Sequence, residues 1–245
     1  DRGGDGALTI AATLDNYRAL FQDELYLLSY IGSARIAFFS TLICLLIGYP
    51  MAYAIASARG AWRNILLLLV ILPFWTSFLL RVYAWMGMLG THGAINSLLL
   101  SLGVIKQPLA LMYTDFAVYI GIVYTYLPFM ILPLYAVLEK LDVELREAAE
   151  DLGGRPLAVF RDVTLPLSMP GSMAGSLLVL IPALGEFVIP SLLGGLDTLM
   201  IGRTLYDEFF INRDWPLAAA VATVLLVIVV VPFMLFQRSQ LQEQP

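Results

Sequence analysis

Residues 147–166 read EAAEDLGGRPLAVFRDVTLP, a polar stretch lodged between long apolar runs. Its first part continues a helix-forming segment that starts at Lys140 and sets Leu141, Leu145, Ala148 and Leu152 three or four residues apart. Gly153-Gly154 breaks that helix. Pro156 suits the first turn of a second one, where the N–H that proline lacks has no helical partner in any case. Helix, glycine break and helix make a compact knob on a membrane surface. Read from spacing alone, it is either a grip for a partner or a solvated connection.

The surroundings of the knob set the class of protein. Of the 245 residues, 60% are hydrophobic and 13% charged, with a mean hydropathy of +0.82; a soluble domain carries about 25% charged residues. This is the composition of an integral membrane protein. The net charge of −5 is spread along the chain and gives no argument for nucleic acid as a partner. Cys44, the single cysteine, lies in an apolar run and reads as packing. With His92 as the single histidine, zinc sites of the usual kinds are excluded within this chain.

Ile36–Ala58, Phe116–Leu138 and Pro216–Gln237 carry no charge. At about 1.5 Å per residue each run crosses a hydrocarbon core of about 30 Å. Two further runs contain one charge each, Arg81 between Asn64 and Gly90, and Glu186 between Ser172 and Leu193. The expected fold is therefore an all-α polytopic membrane protein, because lipid offers the backbone no hydrogen-bond partners. Its membrane body would occupy 29–238, with spans over 30–57, 63–90, 116–138, 172–193 and 216–237. Gly93–Ile105 is short and rich in Gly, Asn and Ser, which reads as an interfacial or re-entrant segment. Arg59, Arg63, Arg238 and the basic residues of 139–162 fall on one side, and Arg2, Arg18, Lys106, Arg203 and Arg213 on the other. By the positive-inside rule the 139–166 loop and the 239–245 tail are cytoplasmic and residues 1–28 external. Thr13 or Asp15 would cap a short external helix, and a further span is expected ahead of Asp1.

Glu186 is the sharpest single residue. A charge at that depth costs about 2.5–3.5 kcal/mol on insertion scales, so it faces protein or a watery path. Pro182, Gly185 and Pro190 around it loosen the helix. It reads either as a cation-attracting group on a translocation route or as a structural acid, neutral or paired with Arg35 or Arg81. Phe74, Trp75, Phe78, Tyr83 and Trp85 offer cation–π faces for such a route, or interfacial anchors and packing. Asp207, Glu208 and Asp214, beside Arg203 and Arg213, form either a docking patch for an external binding protein or a solvated loop. No GxxxxGK[ST] loop is present, so energy comes from a partner or a gradient. Nothing resembles a Ser/His/Asp set, an HExxH motif or a paired intramembrane carboxylate, so an intramembrane enzyme finds no support.

The knob resembles the EAA motif of ABC importer permeases: EAA, three residues, Gly, nine residues, an aliphatic, any residue, Leu-Pro. Glu147-Ala148-Ala149, Gly153, Val163, Leu165 and Pro166 fill that pattern. CLLIGYPMAYAIA (44–56), LPFWTSFLLRVYAWMG (72–87), PALGEFVIPSLLGG (182–195) and IGRTLYDEFFINRDWPLAAAVA (201–222) are similar to permeases of putrescine/spermidine importers, the last block most like the putrescine type. The resemblance implies a type I ABC importer permease fold in a bacterial cytoplasmic (inner) membrane. It implies a second homologous permease, an ABC ATPase dimer that carries the ATP and Mg, and a periplasmic or extracellular substrate-binding protein. Glu147 and its neighbours would be the coupling helix seated in the ATPase, Gly153 the bend, and Leu165-Pro166 the lead into the next span. The expected cargo is a polyamine, putrescine before spermidine. The alternatives are a permease for sulfate, molybdate or ferric iron, and a gradient-driven carrier.

Overall fold

The computed structural model describes residues 15–242, and among these all regular structure is helical. Helix α1 (Asp15–Gln22) precedes α2 (Glu24–Ser57), which Asp23 caps by accepting the N–H of Leu25 at 2.9 Å. Thr13, the other cap candidate, lies outside the described residues. The inward face of α2 carries small residues three or four apart: Ser33, Ala37, Ser40, Cys44, Gly48 and Ala52. Lipid tails are as apolar as leucine, so membrane helices associate where small side chains let backbones approach. That stripe packs on α6 (Asp115–Leu138) and α10 (Met169–Leu184), and the three helices form the core. Gly171 and Gly175 bring α10 close to α6, where an added Cβ would lie 3.0 Å from the Pro133 and Met130 carbonyl oxygens respectively.

Two apolar clusters fill this core. Toward one end Ile36, Ala117, Ile122, Ala183, Ile189 and Leu193 pack together. Toward the other end Cys44, Ile55, Met130, Leu134 and Val179 do so. Outward-facing positions such as Phe38, Leu46, Leu69 and Leu226 are equally apolar and exposed, as a lipid-facing surface requires. Helix α13 (Trp215–Gln242) is held to the body through α1 and α12 (Ile201–Tyr206).

Among the described residues, α2 and α6 are the single helices long and apolar enough to cross a membrane. The continuous helix expected over 63–90 is instead α3 (Ala61–Ile71), a 3-10 turn Leu72–Trp75, and α4 (Phe78–Leu89), turned by 92° at Thr76-Ser77. Thr76 is extended there, and its Oγ1 donates to the Pro73 carbonyl at 2.8 Å. The short segment that follows, α5 (Ala94–Ser101), reaches only about 12 Å with its 8 residues. Buried Asn96 fixes it by bonding Gly90 and Leu109 backbone groups. The helix expected over 172–193 also differs. It starts at Met169, stops at Leu184, and resumes after Gly185-Glu186-Phe187 as α11 (Val188–Leu193).

Candidate functional site

The knob is built from α7 (Val143–Asp151) and α8 (Pro156–Val159), which runs through the wide turn Phe160–Thr164 into α9 (Leu165–Leu167). Asp142 caps α7 by accepting the N–H of Glu144 at 3.0 Å. At the far end Gly153 has φ +85°, the Gly153 N–H bonds Glu150 O at 2.9 Å, and the Gly154 N–H bonds Ala149 O at 3.0 Å. This is a Schellman cap, whose left-handed position favours glycine. Gly154 is needed for a different reason: a Cβ there would lie 2.6 Å from Ala149 O and 2.9 Å from Val159 Cγ2.

The knob is tied down by aromatics. Phe160 meets Tyr49 and Tyr53 of α2 edge-on, with ring centroids 5.5 and 5.9 Å apart. The Tyr49 and Ser168 hydroxyls are hydrogen-bonded at 2.7 Å, and Arg63 pairs with Glu139 at 2.7 Å. Its outer surface is unusual for a solvated loop. Glu147 and Ala148 are exposed and Ala149 half-buried, and beside them Leu145, Leu152 and Leu157 are 50%, 90% and 79% exposed. The leucine stripe read from sequence therefore divides, with Leu141 against the core and Leu145 and Leu152 turned out. Leu165 and Pro166 line an apolar groove with Leu45, Leu46 and Pro50 of α2.

Glu186 occupies the break between α10 and α11 and is 8% exposed. Its Oε1 accepts the N–H of Val188 at 3.0 Å and of Ile189 at 3.3 Å, and its Oε2 accepts the Tyr126 hydroxyl at 2.5 Å. The carboxylate thus serves α11 as an N-terminal cap while one edge faces an open cleft of about 440 Å³. Phe74, Phe78, Arg81, Tyr126, Phe129 and Phe187 line the same cleft. Arg35 is not its partner, because it pairs with Asp115, which also accepts from Thr198 Oγ1 at 2.7 Å. Arg81 shares the cleft but forms no ion pair with Glu186 among the described residues.

Of the aromatics read from sequence, Phe74 and Phe78 line the cleft. Trp75 and Tyr83 are exposed elsewhere, and Trp85 packs edge-on to Tyr124 at 5.5 Å. Sequence reasoning missed a string of rings leading away from the cleft. Phe187 stacks on Tyr206 at 5.0 Å, Tyr206 meets Phe210 at 4.7 Å, Phe210 meets Phe209 at 4.8 Å, and Phe209 meets Trp215 at 6.3 Å. The only sequence signal for it was Tyr206, Phe209 and Phe210 at helical spacing.

The structure divides the acidic group at 207–214. Glu208 is buried, and its carboxylate accepts from the Tyr26 hydroxyl at 2.9 Å and from Asn212 Nδ2 at 3.0 Å. It ties α2 to the Asp207–Ile211 turn and presents no external face. Asp214 is exposed and caps α13 by accepting the Leu217 N–H at 3.2 Å. Asp207 is half-buried. Among the described residues no group of three or more His, Cys, Asp or Glu side chains converges to hold a metal ion.

A three-helix membrane core with broken flanking helices and a helical knob defines the fold of an importer permease. The chain superposes on a crystal structure of a bacterial ABC transporter that imports the acidic polysaccharide alginate, with a TM-score of 0.77 at 16% identity over 97% of this chain and 86% of that one. Residues 44–239 match the model of the binding-protein-dependent transport system inner membrane component family, and the chain belongs to that family. It is 43% identical to the spermidine/putrescine transport system permease protein PotB of Haemophilus influenzae over 97% of this chain and 83% of the relative. Against PotB of Escherichia coli it is 44% identical over 93% and 82%. It is a helical permease of the inner membrane.

Proposed function

We propose that this chain is one of two permease subunits of an ATP-driven importer, moving a polyamine of the putrescine–spermidine class into the cytoplasm. The observation that carries the energy-coupling half is the knob. The charged knob exposes Leu145, Leu152 and Leu157 to the aqueous side while four aromatic and polar contacts fix its base. Exposed apolar side chains grouped in this way, rimmed by charge, mark a surface that another protein covers. A separate ATPase, holding the ATP and Mg, is the partner the motif calls for, with Glu147 at the contact and Gly153-Gly154 fixing the bend. Closure of the ATPase pair then turns the spans as rigid bodies.

The cargo half rests on the relatives and on the cleft. Glu186 supplies a negative edge, and Phe74, Phe78, Phe129 and Phe187 supply faces that attract ammonium groups. An external binding protein delivers the cargo, and Asp207 and Asp214 remain the candidate docking acids. The test of the coupling role is Glu147→Ala in the assembled complex, reading ATP hydrolysis stimulated by loaded binding protein. The expected result is lost stimulation with weakened ATPase association. Unchanged stimulation and association would remove the role.

A further inference from the structure

Arg81, on α4, holds its guanidinium carbon 5.7 Å from the Phe74 ring centroid and 5.9 Å from that of Phe78. Its Nε and Nη1 are buried without a hydrogen-bond acceptor. A guanidinium cannot shed its proton, and buried donors are ordinarily bonded. What compensates here is the negative face of two phenyl rings. Glu186 lines the same cleft, yet its carboxylate is engaged by Tyr126, Val188 and Ile189. The cleft therefore pairs one carboxylate edge with four phenyl rings, and a cation of the protein's own already covers two of them, Phe74 and Phe78.

We propose that Arg81 is a tethered competitor for the cargo. Its guanidinium fills the cation seat made by Phe74 and Phe78, which a cargo ammonium would take over to lie beside Glu186. The proposal rests on the polyamine reading above. Two cations cannot share one seat, so Arg81 lowers the affinity for an incoming ammonium and speeds its departure. A transport pathway needs that behaviour, because binding must be favourable enough for entry and weak enough for exit. Arg81 thus sets affinity and turnover in opposite directions, which a purely structural arginine would not do.

The experiment is equilibrium binding of labelled spermidine to the purified permease–ATPase complex without binding protein, with uptake by the complete complex in proteoliposomes. Complexes of wild type, Arg81→Lys and Arg81→Gln are matched for assembly by gel filtration. Displacing a cation–π pair is worth about 0.5–2 kcal/mol, so Arg81→Gln should bind about 2- to 30-fold tighter and turn over more slowly. Arg81→Lys, which keeps the charge but not the planar guanidinium, should fall between Gln and wild type. It decides the matter where the Gln complex does not assemble. Unchanged or weaker binding in either variant, with normal wild-type uptake, overturns the proposal alone. A wild-type complex that neither binds nor imports any polyamine overturns the cargo reading and this proposal together.

Discussion

Replacing Glu186 separates geometry from charge. Its side chain satisfies two N–H groups at the start of α11 and the hydroxyl of Tyr126 on α6. Glu186→Ala leaves the Ile189 N–H unbonded where Ile189 is fully buried. Each buried polar group stripped of its partner costs about 1–3 kcal/mol, and the half-buried Val188 N–H and Tyr126 hydroxyl cost less, so the total is about 2–4 kcal/mol. Glu186→Gln keeps a carbonyl oxygen for both N–H groups and turns an amide N–H toward the Tyr126 oxygen. Only the difference between charge-assisted and neutral hydrogen bonds is lost, about 1 kcal/mol. Thermal unfolding of the purified complex should therefore show a larger fall in midpoint for Ala than for Gln. In uptake assays Gln should raise KM for the polyamine while the complex stays assembled. Equal destabilisation by Ala and Gln would refute the capping geometry. A Gln complex with unchanged KM would refute the electrostatic part.

The other predictions concern the knob and the corrected acid. Gly153→Ala forces a left-handed alanine, at about 1–2 kcal/mol, into open space at φ +85°, so Gly153→Asn, which tolerates that region, should recover much of the stimulated ATPase activity that Ala loses. Gly154→Ala should not be rescued by Asn, since its Cβ would collide with the Ala149 carbonyl; rescue would show that the cap does not form. Tyr26→Phe removes one donor from buried Glu208 and should destabilise the complex by about 1–3 kcal/mol while leaving its affinity for the binding protein unchanged. A selective loss of that affinity would restore Glu208 to a docking surface.

The knob was legible because its signals are local. Gly153-Gly154 and Pro156 act through their own backbone, and the same residues cap α7 and start α8 in the structure. The apolar run 116–138 and α6 nearly coincide, since hydrophobicity and helix length both follow from the need to satisfy backbone groups in lipid. Hydropathy is blind, however, to where an apolar run breaks. Trp75, Thr76 and Ser77 carry no strong signal, yet a 92° turn falls there. Glu208 read as external because its neighbours are charged, while the tyrosine that buries it lies 182 residues away in sequence. Glu186 stood out as an intramembrane charge in a helix loosened by Pro182, Gly185 and Pro190, but its work as a cap follows from a full helix break at 185–187 that loosening alone did not specify. The ring string from Phe187 to Trp215 depends on that same break folding back toward α12.

The most direct measurement is uptake of labelled putrescine and spermidine into proteoliposomes that hold both permeases and the ATPase, with loaded binding protein outside and ATP inside or absent. Accumulation should require internal ATP and collapse in Glu147→Ala. Uptake that proceeds equally without ATP, or a complex that hydrolyses ATP but moves neither polyamine, would contradict ATP-driven polyamine import.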